Sequence, residues 1–182
     1  MLLGLKYFYS VTSNNNIYIA DKKDIPVLVE LVNKAYRNIN ANCGWTTEAN
    51  LFEGSRANEE SLKHLSDHSH SVFLKYVKDN KIVGCVYLHK QQSKMYLGVL
   101  AVSPEFQDAG IGKELLSGAE EYALKHKCNT ITMTVISIRH ELVAWYKRRG
   151  YHETGEIRPF PYDEVNRPKQ PLELLVLEKK LD

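Results

Sequence analysis

Residues Tyr96–Leu116 read YLGVLAVSPEFQDAGIGKELL, and this stretch decides the fold. Tyr96 to Val102 is apolar and rich in strand formers. Ser103-Pro104 breaks it, and Gln107-Asp108-Ala109-Gly110-Ile111-Gly112 then runs into Lys113-Glu114-Leu115-Leu116. The order is strand, turn, glycine-punctuated loop, helix. Such a junction suits a phosphate or pyrophosphate. The first N–H groups of a helix lack intrahelical partners and carry partial positive charge, and loop glycines let an anion approach without a Cβ in the way. A surface turn that uses its glycines only for geometry is the plainer alternative. A dinucleotide fingerprint is not met, because its third glycine would fall at Leu115.

Further along, Trp145-Tyr146-Lys147-Arg148-Arg149-Gly150-Tyr151 reads as a helix end stopped by a glycine, with a strand beginning beyond it. Together the two segments resemble the GNAT superfamily of N-acetyltransferases. Gln107, Gly110 and Gly112, after Val102-Ser103-Pro104, match its acetyl-CoA pyrophosphate loop, Gln/Arg-x-x-Gly-x-Gly/Ala. Trp145 to Tyr151 matches its aromatic-Tyr-x-x-x-Gly-aromatic element, and the spacing between the two is the family's. The resemblance covers Ile17 to the C-terminus, with its specific motifs between residues 100 and 151.

At 182 residues the chain has room for one sizeable domain. A hydrophobic content of 43% and a charged content of 25% are those of a soluble globular protein. The net charge of +2 is too near neutral to argue for nucleic acid, and only Lys147-Arg148-Arg149 forms a basic run. That run reads as a favourable charge at a helix C-terminus or as a contact to a cofactor phosphate. Cys43, Cys85 and Cys128 are odd in number and widely spaced, which fits a reducing, cytoplasmic compartment and neither a disulfide framework nor a zinc site. Cys85 reads as a buried, inert thiol. MLLGLKYFYS is short, carries Lys6 and lacks a small-residue cleavage pattern, so it is not read as a signal peptide.

The expected organisation is an extension from Met1 to Asn16, with Ser13 to Asn16 as a flexible joint, followed by an N-acetyltransferase domain over residues 17–182. Ile17 to Ala20 reads as a strand. Apolar Ile25, Leu28, Leu31, Val32, Ala35 and Tyr36 recur at helical spacing. Thr46 or Thr47 predicts a short helix through Phe52, and Asn58 a capped helix to Leu65. Ser71–Lys78, Lys81–His89 and Lys94–Val102 predict an antiparallel meander. Helices over 110–127 and 139–149 then alternate with strands at 129–136, 151–157 and 172–179. The strand at 129–136 must run parallel to its predecessor because a helix crosses between them. The fold class is a single α/β domain, a GNAT-like acyl-CoA N-acyltransferase fold: a mixed, mostly antiparallel sheet of about seven strands flanked by helices.

By the resemblance, acetyl-CoA is the co-substrate and no metal is needed. Leu100, Ala101 and Val102 offer main-chain groups to its pantetheine arm, and a backbone N–H there polarises the acetyl carbonyl. Gln107, Asp108, Ala109, Gly110, Ile111, Gly112 and Lys113 hold its pyrophosphate. Asp108 stands where a basic or small residue is common, so its carboxylate must point to solvent. Tyr146 matches the tyrosine that protonates the leaving thiolate, a role suited by the closeness of phenol and thiol pKa values; a core tyrosine closing helix onto sheet is the alternative. Arg139 stands where relatives carry a cofactor-binding asparagine and reads as a partner for a phosphate or an acceptor carboxylate. The region after the first strand lines the acceptor side, which makes Trp45, Glu48 and Arg56 pocket candidates, against a packing anchor and a surface pair. Phe160 and Tyr162, in a proline-rich loop, read as a cover over that pocket or as edge packing. For the general base Glu48, Glu105, Glu141 and Glu173 are available and no spacing selects one, while many relatives deprotonate the amine through water; Glu48 is preferred because it lies in the acceptor-lining region. His64, Asp67, His68 and His70 match no standard ligand set and read as solvated turn residues.

The function expected is transfer of an acetyl group to a primary amine of a small-molecule or amino-acid-like acceptor, by direct attack in a ternary complex. Protein N-terminal or lysine acetylation and a non-catalytic acyl-CoA-binding module are the alternatives, with a homodimer as a further expectation and no nucleic-acid or membrane partner.

Overall fold

The computed structural model describes residues 12–37, 47–161 and 167–182. In chain order these form β1 (Ile17–Ile19), α1 (Ile25–Arg37), β2 (Phe52–Glu53), α2 (Glu59–Asp67), β3 (Ser71–Lys78), β4 (Lys81–Gln91), β5 (Lys94–Val102), α3 (Ile111–Lys125), β6 (Thr130–Ile136), α4 (His140–Lys147), β7 (His152–Pro159), β8 (Arg167–Pro168) and β9 (Glu173–Lys180). Local chemistry accounts for several of the boundaries. Asn58 caps α2 in a reciprocal box with Ser61, and Asp79 and Asn80, both at positive φ, turn β3 tightly into β4.

Seven strands make one mixed sheet in the order β1-β3-β4-β5-β6-β9-β7, while β2 pairs with β8 separately. Every neighbouring pair is antiparallel except β5 with β6, which α3 joins by a crossover. Alternation along the strands sorts side chains between two cores. Leu74, Tyr76, Val86 and Leu88 pack with Ile111, Leu115, Leu116 and Ala119 of α3 on one face. Phe73, Cys85 and Tyr87 pack with Leu28, Leu31 and Val32 of α1 and Leu62 of α2 on the other. Burial pushes the Cys85 thiol up to about 12, which leaves it inert. Edge strand β7 is exposed along its whole length and is interrupted by an irregularity between Glu153 and Ile157, with Gly155 at φ 88°.

Two local expectations give way to tertiary contacts. Residues 47–51 form no helix: Glu48 N–H donates to Tyr36 O, Leu51 N–H to Glu48 O, and Phe52 enters the ladder with β8. Ser13 to Asn16 is not a loose joint, because the Ser13 N–H and hydroxyl donate to Glu121, Asn14 Nδ2 donates to Glu114, and Val77 N–H donates to Asn16 O.

Candidate active site

The site begins where the sheet forks. β5 and β6 are in register only at Lys94 with Thr130, Met95 with Ile131 and Tyr96 with Thr132. Beyond Tyr96, β5 leans toward β4 alone and carries a bulge. Tyr87 pairs with Gly98 and Cys85 with Ala101, so Val86 opposes both Val99 and Leu100. Val99 sits at φ 48°, an unusual conformation for a β-branched residue. Two side chains hold this segment: Tyr36 Oη donates to Leu100 O at 2.8 Å, and Gln107 Nε2 donates to Val102 O at 3.2 Å.

Past Val102, Ser103 N–H ties to Val83 O and residues 104–106 make one 3₁₀ turn. The chain then passes through Asp108 at φ 66° and Gly110 at φ 81° to start α3. A Cβ added at Gly110 would meet nothing within 4 Å, so the glycine opens onto free space as well as taking a left-handed backbone. Asp108 is exposed, so its carboxylate lies in solvent. Glu114, the acid in the first turn of α3, faces away, accepting from Tyr76 Oη at 2.9 Å. The first turn of α3 is thereby left to its own N–H groups and to Lys113.

The end of β5, the loop and α4 enclose a cavity of about 210 Å³, lined by Tyr36, Leu100, Val102, Phe106, Gln107, Asp108, Gly110, Ile111, Gly112, Lys113, Leu142, Trp145, Tyr146 and Arg149. Of the cofactor positions expected from sequence, Ala101 lies in the α1-side core and Ala109 is exposed on the loop. Tyr146 is 5% exposed and packs edge-on against Trp145 and Tyr151. Burial raises its pKa, with Arg149 opposing, so the phenol stays protonated. Among the described residues no group takes a hydrogen bond from its hydroxyl. Arg149 stacks 3.6 Å over the Trp145 ring and donates from Nη1 to Trp145 O at 2.7 Å. Its buried Nε has no partner among the described residues, and burial lowers the guanidinium pKa. An open glycine cradle, a bare helix N-terminus, Lys113 and this guanidinium fit a phosphorylated ligand.

The acceptor-side candidates lie elsewhere. Glu48 is buried between Arg37, whose Nη1 is 3.2 Å from Oε2, and Arg139, whose Nη1 is 3.8 Å from Oε1. Arg139 caps the entry to α4, pairs with Glu141 at 2.6 Å, donates to Thr47 O, and does not line the cavity. It pins the 47–48 turn to α4. Arg56 lies 5.5 Å from the centre of the Tyr36 ring, and Arg37 lies 4.5 Å from that of Phe52, which packs against Phe160. Trp45 and Tyr162 fall outside the described residues. His64 and His68 face one another at 3.2 Å between Nε2 atoms, and Asp67 is paired with Lys22.

Arg149 belongs to the basic run read from sequence as a helix-end charge or a contact to a cofactor phosphate, whereas the cavity-lining places of Tyr36 and Trp145 were not read there. Tyr36 ends the apolar stripe of α1, and a phenol there was itself a signal, since its hydroxyl needs a partner when buried.

Residues 31–151, more than half of the chain, match the model of the acetyltransferase (GNAT) family. Solved structures of similar fold include the ribosomal-protein-S18-alanine N-acetyltransferase from Escherichia coli, with TM-score 0.69 and 15% identity over 91% of this chain and 93% of that one. The ribosomal-protein-alanine N-acetyltransferase from Brucella melitensis gives TM-score 0.67 and 19% identity over 91% and 99%. The IAA acetyltransferase from Bacillus cereus gives TM-score 0.62 and 15% identity over 91% and 98%. With the family match extending from within α1 through the 107–112 loop to Tyr151, the chain belongs to the GNAT family of acetyltransferases.

Proposed function

We propose that the chain is an N-acetyltransferase that moves an acetyl group from acetyl-CoA to the primary amine of a small-molecule or amino-acid-like acceptor, by direct attack in a ternary complex. The observation that carries this reading is the buried, protonated Tyr146 on the wall of a cavity that opens at a glycine-lined helix N-terminus. Bound acetyl-CoA supplies an activated acyl carbonyl on a good leaving sulfur. The chain contributes the rest. Backbone N–H groups of the 107–112 loop, with Lys113 and Arg149, bind the phosphates. The bulge at Val99 and Leu100 presents N–H groups to the oxygen on which negative charge develops. Tyr146 Oη gives its proton to the departing sulfur. Both carboxylate oxygens of Glu48 are in ion pairs, so the amine loses its proton to water in this scheme. Arg56, which has no acidic partner among the described residues, supports an acceptor bearing a carboxylate.

Calorimetric titration of acetyl-CoA into the protein tests the reading, with Gly110→Trp as control. Micromolar binding that disappears in the variant is the expected result, because an indole grown from Gly110 fills the space an anion would use. Absence of binding to the unmodified chain would remove the enzyme reading. An amine screen with free-thiol detection, including a peptide with N-terminal alanine, then separates small acceptors from protein ones.

A further inference from the structure

Val99 holds a left-handed backbone that β-branched residues resist, in the middle of a strand, at the one place where β5 must turn its main chain away from the ladder. Something has to keep it there. Glycine would do so freely, but the residue is valine, and the neighbouring ladder to β6 has already ended at Tyr96. Among the described residues, the bulge is reached from outside the sheet by packing of the Val99 side chain against the α1-side core and, at its main chain, by the Tyr36 hydroxyl, which donates to Leu100 O from the last turn of α1. Tyr36 is itself well fixed. Arg56 lies over its ring, Glu48 N–H donates to its carbonyl, and its side chain lines the cavity together with Tyr146.

We propose that Tyr36 is a positioning residue: its hydroxyl clamps the Leu100 carbonyl and thereby holds the Val99 and Leu100 bulge with its N–H groups presented to the acetyl carbonyl. This rests on the acetyl-CoA reading above. Tyr36 acts through the backbone and moves no proton. Burial, with Glu48 adding to it, raises its pKa, so it remains a hydrogen-bond donor across the working pH range.

The clamp has a direct spectroscopic consequence that needs no acceptor amine. Carbonyl-labelled [1-¹³C]acetyl-CoA bound to the unmodified chain should show its thioester stretch displaced to lower wavenumber than in water, reporting polarisation by the bulge. In Tyr36→Phe the ring and its packing stay and only the hydroxyl goes. The displacement should shrink by roughly half or more while calorimetric Kd for acetyl-CoA changes by less than about threefold. Tyr36→Phe combined with Val99→Gly should recover the displacement, because glycine occupies the bulge conformation without a clamp. An unchanged band in Tyr36→Phe with acetyl-CoA bound overturns the clamp and leaves the acetyltransferase reading intact. A shrunken band that Val99→Gly fails to restore also overturns it, since the loss then does not come from the bulge. Failure of the unmodified chain to bind acetyl-CoA overturns both.

Discussion

Tyr146→Phe is the substitution that most directly probes the proposed chemistry. The hydroxyl is the only group removed, and among the described residues it hydrogen-bonds to none, so the ring's packing against Trp145 and Tyr151 is preserved. Folding stability should therefore stay within about 1 kcal/mol of the unmodified chain by denaturant midpoint. Catalysis should not be preserved. A positioned general acid contributes roughly 10²- to 10⁴-fold, so kcat should fall at least about a hundredfold, equivalent to about 2.7 kcal/mol of barrier. The pH dependence gives a second signature. An acid works while protonated, and burial raises the Tyr146 pKa above the ordinary tyrosine value of 10.0. Activity of the unmodified chain should persist through the alkaline range and decline only above it, and the phenylalanine variant should lack that decline. The assay is thiol release against pH with an acceptor from the amine screen, paired with calorimetry for acetyl-CoA. An unchanged kcat, or a defect confined to KM for acetyl-CoA, would refute the assignment.

Two further substitutions test the surroundings. Glu48→Gln strips the charge shared by Arg37 and Arg139, all three side chains being less than a tenth exposed; it should lower stability by about 3 kcal/mol in urea unfolding, and an unchanged midpoint would mean that the ion pairs do not hold the 47–48 turn. Glu105 has its pKa held down to about 2 by Lys34 and then Ser103. Since the folded value lies below the ordinary glutamate 4.5, its contribution is complete above that pH and is lost as pH falls toward about 2. Its side chain is 56% exposed, so Glu105→Gln should flatten the acid limb of the stability curve by less than about 1 kcal/mol, and a variant with an identical acid limb would dismiss the pairing.

What sequence disclosed and what it withheld follows the range of the interactions. The glycine-bearing loop before α3, the meander and the crossover helix are written in neighbouring residues: glycine spacing, period-two alternation, the Asp79-Asn80 turn. Each is decided within a few positions of itself. The 47–52 segment was legible only as a threonine-capped start, because what shapes it comes from Tyr36, Arg139 and β8, up to about 120 positions away. Arg139 read as a ligand for an incoming anion for the same reason: the carboxylates that engage it include Glu48, distant in the chain. Tyr36 looked like one more apolar position on α1, and its hydroxyl acquires meaning only where β5 bulges opposite it.

The fork in the sheet has a mechanical consequence. Four strands lie on one side of it and three on the other, and the two ladders meet through three residue pairs at one end. The Lys94 and Glu178 ion pair fastens that end like a stitch at the spine of a book. Beyond Tyr96 the two leaves share no strand pairing and are tied by side chains instead, Tyr96 Oη with Thr134 Oγ1 at 3.3 Å and the common core packed on α3, so widening the opening strains those contacts and spares both ladders. A slender ligand lying in the fork would brace the leaves apart at the end where they share no backbone pairing.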